Sequence, residues 1–320
     1  MNGFFSKYFS KLFVQQWIIG VARYRVEDMI RTKTFDPVIS WFKEKDADKF
    51  FADPFLYQAG DGRLSVLLEA YSHNEGYGKI VRVALDKDLQ PAGYEPLLDT
   101  GSHLSYPFTY TENGTTYVFP ESGSGGKLSC YTYDDKRNTV NWVKDIIREP
   151  LLDSTITRYR DRYWLFSTRK GKDADNKLYI YFSDQLLGPY TEHPQNPVKT
   201  GLTASRPAGQ IIEVDGVLYR PSQNSRFTYG GSITLNRISR LDETGFDEDY
   251  YMTIEVNRKN RGNRGMHGMH TINHINGITV VDGTRWRFAP VTKLRQFIQK
   301  IKEKRSSRNR SLPAAQPAQS

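Results

Sequence analysis

Cysteine is nearly absent from this sequence of 320 residues. The single cysteine, Cys130, excludes an intrachain disulfide and favours a reducing compartment, so we expect a cytoplasmic protein. Because Cys130 lies in a strand-like stretch, we interpret it as a core residue and not as a nucleophile.

Long hydrophobic runs are missing as well. No stretch approaches the length that a membrane-spanning helix needs. The N-terminus places Lys7 and Lys11 among aromatic residues, without a continuous apolar region or a small-residue cleavage site. We therefore expect no signal peptide.

The body of the chain also lacks a strong charge of either sign. The formal net charge is +9, but residues 293–310 contain eight Lys/Arg and one acid, Glu303, and so supply +7 of it. A nucleic-acid-binding domain is expected to have a basic face on its body. The sequence therefore predicts no nucleic-acid partner.

Segments at both ends of the chain have the spacing of amphipathic helices. Residues 3–16 carry apolar side chains at helical intervals, which predicts a short N-terminal helix. Residues 293–310 place Leu294, Phe297, Ile298 and Ile301 on one helical face, with basic residues on the rest. Such a helix can bind an anionic membrane surface; a solvated tail is the alternative. Residues 311–320 are predicted to be disordered.

One phrase recurs with a spacing of about 50 residues, which is typical of propellers and other arrays. A polar residue heads a strand-like run, and a tight turn and a second β-rich run follow. The five copies are Ala52–Tyr57, Ser105–Tyr110, Leu152–Thr157, Ser205–Gln210 and Met269–His274.

Five such units without helical crossovers predict an all-β fold, a five-bladed β-propeller over residues 17–292. The fifth unit is short after Phe288, so we expect Trp17–Val21 to supply its missing strand and close the ring. A β-sandwich with coincidental spacing is the alternative, but the ordered recurrence of the phrases favours the propeller.

The repeat predicts two rings of polar residues around the axis, because the leading end of each inner strand of a propeller faces the central pocket. The first ring is Asp53, Tyr106, Asp153, Arg206 and His270. The far ends of the hairpins supply the second: Glu69, Glu121, Thr168 or Arg169, Gln223 and Asp282.

The carboxylates of these rings are expected to converge. Two suitably spaced carboxylates can perform glycosyl chemistry, one as base or nucleophile and one as acid. Crowding of like charges raises the pKa of some of them, as a general acid requires. The alternative is a structural role, in which the acids close turns or pair with Arg158, Arg169 and Arg206.

Basic side chains are predicted at the same end of the ring: Arg169, Arg206, Arg220, His267, His270 and His274. Arginine suits bidentate binding of phosphate, so a nucleotide or lipid diphosphate is the expected ligand, with neutralisation of the acids as the alternative. His270 and His274 on one strand lie too far apart to form a natural ligand pair, so we predict no metal. The Gly-rich residues 123–126 lack the Lys-Ser/Thr of a P-loop, and we predict no cofactor.

Several phrases, spread over about residues 17–288, resemble a known family. They are residues 51–55, 106–108, 120–122, 188–190 with 193–194, 206–209, 219–223 and 270–273. Together they resemble the propeller domain at the N-terminus of plant glucosamine inositolphosphorylceramide transferase and in bacterial proteins encoded among surface-polysaccharide genes. That domain is distantly similar to glycoside hydrolase family 43 and the neighbouring five-bladed furanosidase families.

The resemblance implies roles for individual residues. Asp53 matches the acid of blade one that serves those hydrolases as base or nucleophile, and Asp153 matches the acid of blade three that tunes pKa values and holds the sugar. The general-acid Glu of that group opens blade four, where this chain has Arg206. The departure disfavours plain hydrolysis and leaves Glu121 or Glu69 as the acid.

These features together predict a glycosyltransferase of surface-polysaccharide or glycoconjugate biosynthesis, peripheral at the inner face of the plasma membrane. Asp53, Glu121 and Asp153 are the predicted catalytic residues. The predicted binding residues are Glu69, Tyr106, Arg169, Arg206, Arg220, Gln223, His270, His274 and Asp282. The expected partners are a nucleotide- or lipid-diphosphate-linked sugar donor, a glycan acceptor and, through residues 293–310, an anionic membrane. The alternatives are a family-43-like furanoside hydrolase and a non-catalytic glycan-binding propeller.

Overall fold

Five antiparallel sheets make up the computed structural model, which describes residues 12–259, 261–295 and 298. Four of the sheets form from consecutive strands, and the fifth joins the two ends of the chain. The protein is a five-bladed β-propeller, and the prediction of this all-β fold is confirmed. Within the described residues, no helix is long and apolar enough to span a membrane.

The fifth blade closes the ring with the first strand of the chain. β1 (Phe13–Arg23) pairs along its whole length with the last strand, β22 (Ile278–Phe288). β2 (Ser40–Trp41) adds to β1, while β20 (Met266–Gly268) and β21 (Ile272–Ile275) add to β22. The short helix α1 (Val26–Thr32) follows β1. The predicted contribution of Trp17–Val21 to this blade is confirmed.

The other blades follow in chain order. Blade 1 contains β3 (Lys49–Gln58), β4 (Leu64–Ser72), β5 (Tyr77–Leu85) and β6 (Pro91–Leu98). Blade 2 contains β7 (Ser105–Glu112), β8 (Thr115–Glu121), β9 (Leu128–Asp134) and β10 (Thr139–Ile147). Blade 3 contains β11 (Leu151–Tyr159), β12 (Arg162–Arg169), β13 (Lys177–Ser183), β14 (Thr191–Glu192) and β15 (Lys199–Thr200). Blade 4 contains β16 (Ile212–Val214), β17 (Val217–Asn224), β18 (Ser232–Asp242) and β19 (Gly245–Ile254). A 3₁₀ turn, Arg261–Asn263, precedes β20.

The predicted N-terminal helix over residues 3–16 is wrong at its end, because residues 13–16 already belong to β1. Residues 1–11 lie outside the described residues. At the other end, residues 290–295 are helical. Apart from Ile298, the remainder of the predicted basic helix lies outside the described residues, as does the tail over residues 311–320.

Aromatic packing joins the leading ends of blades 1 and 2. Phe55 meets Tyr106 and Phe108 edge to face, with ring centroids 4.8 and 5.8 Å apart, and each of the three is at most 2% exposed. Burial of one such side chain contributes about 2 kcal/mol, and the edge-to-face geometry adds to it. The inner strands are thereby held against each other just behind the polar rings.

Blade 4 departs from the repeat at its leading end. The sequence predicts a strand over Ser205–Gln210, but the structure has only an isolated bridge between Pro207 and Ser222 there. Proline cannot donate to a strand ladder. Gly209 has a φ of +133° and lies so close to the carbonyl of Ile272 that a side chain would clash. The backbone thus leaves the sheet and passes against blade 5.

Candidate active site

Three blades share one backbone irregularity at the head of the inner strand. Asp53, Tyr106 and Asp153 have φ angles of 52°, 40° and 50°, and the pairing of each inner strand with its neighbour skips at this point. A non-glycine residue in this conformation costs free energy and persists only where its surroundings hold it. Bulges of this kind re-aim side chains, so the three side chains leave the alternation of their strands.

Carboxylates accept the backbone amides at these bulges. The amide of Asp53 donates to Asp282 Oδ2 at 3.2 Å, and that of Tyr106 donates to Asp53 Oδ2 at 3.3 Å. The amide of Asp153 donates to Glu121 Oε2 at 3.1 Å. In each case the acceptor belongs to the preceding blade around the ring. Because a buried amide needs an acceptor, the carboxylates hold the blades together as well as lining the axis.

The five predicted carboxylates therefore come together in one buried cluster. None of them is more than 6% exposed. They are Asp53, Glu69, Glu121, Asp153 and Asp282.

Two groups beside Asp53, Thr271 and His270, favour its charged form. Thr271 Oγ1 donates to Asp53 Oδ1 at 2.9 Å, and His270 Nε2 lies 3.6 Å from the same oxygen. Burial raises the pKa of Asp53 to about 6, with His270 opposing the rise and Asp153 and Asp282 adding to it. Asp53 is thus still ionised at neutral pH, as a base or nucleophile must be.

His270 links Asp53 to the carboxylate of the last strand. Its Nδ1 lies 2.5 Å from Asp282 Oδ2, while Asp282 Oδ1 accepts the amides of His270 and Thr271 at 2.9 Å each. Burial alone would lower the pKa of His270, but the attraction of Asp282 and Asp53 outweighs it and the pKa is raised. The two carboxylates therefore favour the positively charged form of His270.

The same three side chains could hold a cation. One ligand atom from each of Asp53, His270 and Asp282 lies within 4.8 Å of the others. Two carboxylates and an imidazole form a plausible ligand set for a divalent ion. The sequence led us to expect no metal at this site, and that expectation stays a prediction.

Glu69 has a contrasting environment. Its Oε1 has no hydrogen-bond partner among the described residues, and His103 Nδ1, 3.8 Å away, instead accepts the amide of Gly78. Burial raises the pKa of Glu69 well above its usual value, and the nearby carboxylates push it in the same direction. Burial and Lys170 lower the pKa of His103, so this ring is neutral at pH 7. Glu69 is therefore the carboxyl group best suited to carry a proton.

Glu121 and Asp153 share a cation. Arg206 Nε lies 2.5 Å from Asp153 Oδ2, and its other nitrogens lie 4.0 Å from Glu121 Oε2 and 2.9 Å from Asp175 Oδ1. Gln223 Nε2 donates to Asp153 Oδ2 at 2.7 Å. Burial and Asp153 raise the pKa of Glu121, while Arg206 opposes the rise. Arg206 thus lies in the site, but its guanidinium forms ion pairs with the acidic side chains there.

Three of the predicted binding residues have other contacts. Tyr106 is fully buried, and its hydroxyl bonds to Thr155 and the amide of Gly209. Arg169 pairs with Glu149 and Glu192 and stacks on Tyr179.

Arg220 is held inside blade 4, whereas His274 is half-buried and its Nε2 has no hydrogen-bond partner among the described residues. Arg220 is 1% exposed and forms a two-pronged pair with Glu248. Burial lowers the pKa of His274, which lies on β21. The structure gives Arg220 a structural role in blade 4 and does not bring it to the carboxylate cluster.

Sequence reasoning missed two aromatic residues beside the cluster. Trp17 of β1 stacks on His270, with ring centroids 4.0 Å apart and planes at 22°. Tyr229 lies edge-on to the same imidazole at 5.5 Å. Neither residue belongs to a repeated phrase, so only the folded propeller shows that they lie beside the cluster.

This fold is that of propeller glycoside hydrolases. A thermostable family-43 glycoside hydrolase superposes with a TM-score of 0.52 at 13% identity, over 70% of this chain and 86% of that one. A family-117 glycoside hydrolase from the marine bacterium Zobellia galactanivorans superposes with a TM-score of 0.54 at 12% identity, over 88% of this chain and 92% of that one. At these identities the likeness shows the fold alone.

The chain belongs to the family described as glucosamine inositolphosphorylceramide transferase 1, N-terminal, whose model matches residues 35–286. Two curated relatives bear the name glucosamine inositolphosphorylceramide transferase 1. The protein from Oryza sativa subsp. japonica is 35% identical over 62% of this chain, and that from Arabidopsis thaliana is 34% identical over 66%. The matched regions span only 27% and 28% of the relatives' length. The predicted family is confirmed; these relatives are plant proteins and do not support its bacterial part.

Proposed function

We propose that this propeller is a glycosyl-transferring domain, with Asp53 and Glu69 as its reacting pair. The observation that carries the proposal is the difference between two buried carboxylates on neighbouring strands, since Ala52 pairs directly with Glu69. Asp53 accepts a hydrogen bond from Thr271 and lies beside His270, which is drawn to its charge. Glu69 Oε1, in contrast, has no hydrogen-bond partner among the described residues, and the His103 ring beside it is neutral. Environments that separate two carboxyl groups in this way assign the base and the acid.

The proton transfers follow from this assignment. Asp53 accepts the proton of the acceptor hydroxyl. At the same time the oxygen of that hydroxyl forms a bond to the anomeric carbon of the donor sugar. The bond from that carbon to the leaving oxygen breaks, and Glu69 donates its proton to that oxygen. Glu121 was the predicted second carboxylate, but its engagement by the Asp153 amide and Arg206 favours Glu69 instead.

We infer that Arg206 and His270 stabilise a diphosphate leaving group of a nucleotide- or lipid-linked donor. Positively charged N–H groups form strong hydrogen bonds with phosphate oxygens. The acceptor is a glycoconjugate; the names of the plant relatives favour an inositolphosphoryl lipid and glucosamine as the transferred sugar.

Turnover tests the proposal. Purified protein is incubated with nucleotide-linked glucosamine or N-acetylglucosamine and an inositol-phosphate acceptor, and released nucleoside diphosphate is measured. We expect release that Asp53→Asn abolishes. Turnover of arabinofuranosides without any donor would establish the hydrolase instead.

A non-catalytic glycan-binding propeller is the second candidate, because the chain matches only about a quarter of its relatives' length. In that case Asp53→Asn weakens glycan binding and neither substrate set is turned over.

We also propose that the pocket side of the propeller contacts an anionic membrane at the cytoplasmic face. Beyond Asp282, β22 continues to Phe288, and the chain then packs on blade 1, where Arg295 donates to Asn74. Val291 and Leu294, 60% exposed each, lie at the start of the basic segment. Each basic residue near such a surface adds about 1 kcal/mol of attraction.

Vesicle flotation tests this membrane contact. The chain lacking residues 293–320 should be lost from phosphatidylserine vesicles, whereas the full chain should float with them and not with neutral phosphatidylcholine vesicles. Equal flotation of both forms would refute the contact.

A further inference from the structure

The loop between β17 and β18 carries an aromatic side chain into the site. We call this loop, residues 225–231, the aromatic loop. Tyr229 in this loop stands 5.5 Å from the guanidinium carbon of Arg206, measured to its ring centroid, and contacts His270 and Trp17 edge-on. It therefore bridges the heads of blades 4 and 5.

Backbone contacts fix the position of the aromatic loop. The carbonyl of Gly230 accepts the amide of Met269 at 2.8 Å, and the amide of Ser225 donates to Leu202 at 2.8 Å. Gly230 has a φ of +61°, and a Cβ at this position would lie 2.5 Å from the Trp17 ring. Only glycine lets the loop pack so closely on Trp17.

Tyr229 is nevertheless open to solvent. The residue is 41% exposed, but its hydroxyl lies toward the protein, where burial raises the pKa of that hydroxyl well above the usual value. Arg206 opposes that rise, while Asp153, Asp53 and Glu121 add to it, so the ring lies close to the carboxylate cluster. Arg206 lies over the Tyr229 ring, and the exposed part of the residue stays accessible to a ligand. Aromatic side chains with a few convergent polar groups commonly line ligand pockets.

We propose that Tyr229 is the stacking platform for the sugar ring that reacts at Asp53. The proposal rests on the proposed glycosyl chemistry and adds the residue that positions the sugar. A ring in direct contact with Arg206 and His270 meets the group next to the diphosphate, which is the sugar. The base of a nucleotide donor lies on the far side of the diphosphate and cannot reach this position at the same time.

Arg206 and Tyr229 then act on adjacent parts of one donor. The guanidinium, which already contacts the Tyr229 ring, binds phosphate oxygen, and the apolar face of the sugar lies on the tyrosine. Stacking on an amphipathic ring fixes orientation at a low entropy cost, because tyrosine has few rotatable bonds. Tyr229 is thus a positioning residue for the sugar and takes no proton.

Saturation-transfer NMR tests the platform with methyl glucosaminide, N-acetylglucosamine and UDP as separate probes. In the full chain we expect saturation of the sugar-ring protons, unchanged in Tyr229→Phe. Tyr229→Ala should weaken sugar binding about tenfold, the loss expected for one aromatic contact. It should leave the UDP signal unchanged.

Phe227→Ala is the matched control, because Phe227 lies in the same loop but is 92% exposed. It should bind both sugars as the unmodified chain does. Thermal melting confirms that each variant folds. Gly230→Ala moves the ring without removing it and should also weaken sugar binding.

The outcomes separate this proposal from the proposed function. Sugar binding that Tyr229→Ala leaves unchanged, or an absence of sugar binding in the unmodified chain, overturns the platform. Sugar binding at Tyr229 without any UDP signal supports the platform and removes the nucleotide donor from the proposed function.

Discussion

The backbone amide of Asp53 donates a hydrogen bond to the carboxylate of Asp282, a residue 229 positions later in the chain. Asp282 lies on β22, which pairs with β1, so the bond forms only when the ring is closed. The same two residues flank His270 in the carboxylate cluster. Closure of the propeller and assembly of the site are therefore one event.

Removing β1 should prevent folding for this reason. A chain that starts at Arg25 lacks the partner of β22 along eleven register positions and leaves a long unpaired edge. We expect loss of the cooperative thermal transition, measured by circular dichroism. A synthetic peptide of residues 12–24 added in trans should restore it; a stable truncated chain that ignores the peptide would contradict the account.

Neutralising Glu69 should stabilise the protein. Its pKa is raised in the folded state, so the folded carboxyl costs stability above its unfolded pKa, near 4.5, and the cost disappears as the pH falls below that value. Glu69→Gln should therefore gain stability at pH 8. The gain should vanish near pH 4.

Urea unfolding at several pH values measures this difference. Glu213→Gln, at an exposed position of β16, is the matched control and should show no such pH-dependent gain. A destabilised Glu69→Gln at pH 8 would show that the carboxylate has a partner that stabilises it.

Arg220→Ala should destabilise the fold without touching ligand contacts. It leaves Glu248 buried with Lys199 as its one remaining ion-pair partner among the described residues, and breaking such a pair costs about 3–5 kcal/mol. The double variant Arg220→Met with Glu248→Leu should recover most of the loss. If Arg220→Ala had an unchanged urea midpoint but bound the sugar donor more weakly, Arg220 would belong to the site after all.

The ring of Asp53, Tyr106 and Asp153 was predictable because one turn-bounded hairpin recurs and fixes the same register in each blade. Hairpin geometry likewise placed Glu69, Glu121 and Asp282 at the far ends. What the local pattern could not show is contact between strands that are not neighbours, or contact made from a loop. Arg220 meets Glu248 from another strand, and Tyr229 reaches the site from a loop without a repeat.

Turnover of Glu69→Gln and Glu121→Gln, compared over a range of pH, tests the reacting pair most directly. We expect the rate of Glu69→Gln to fall about 10²–10⁴-fold, the usual contribution of one acid or base, and the decrease of the rate at high pH to disappear. Glu121→Gln should lose less of the rate and keep both limbs of the pH–rate profile. The limb at low pH should lie near the pKa of Asp53, about 6. The reverse order, with Glu69→Gln fully active and Glu121→Gln inactive, would contradict it.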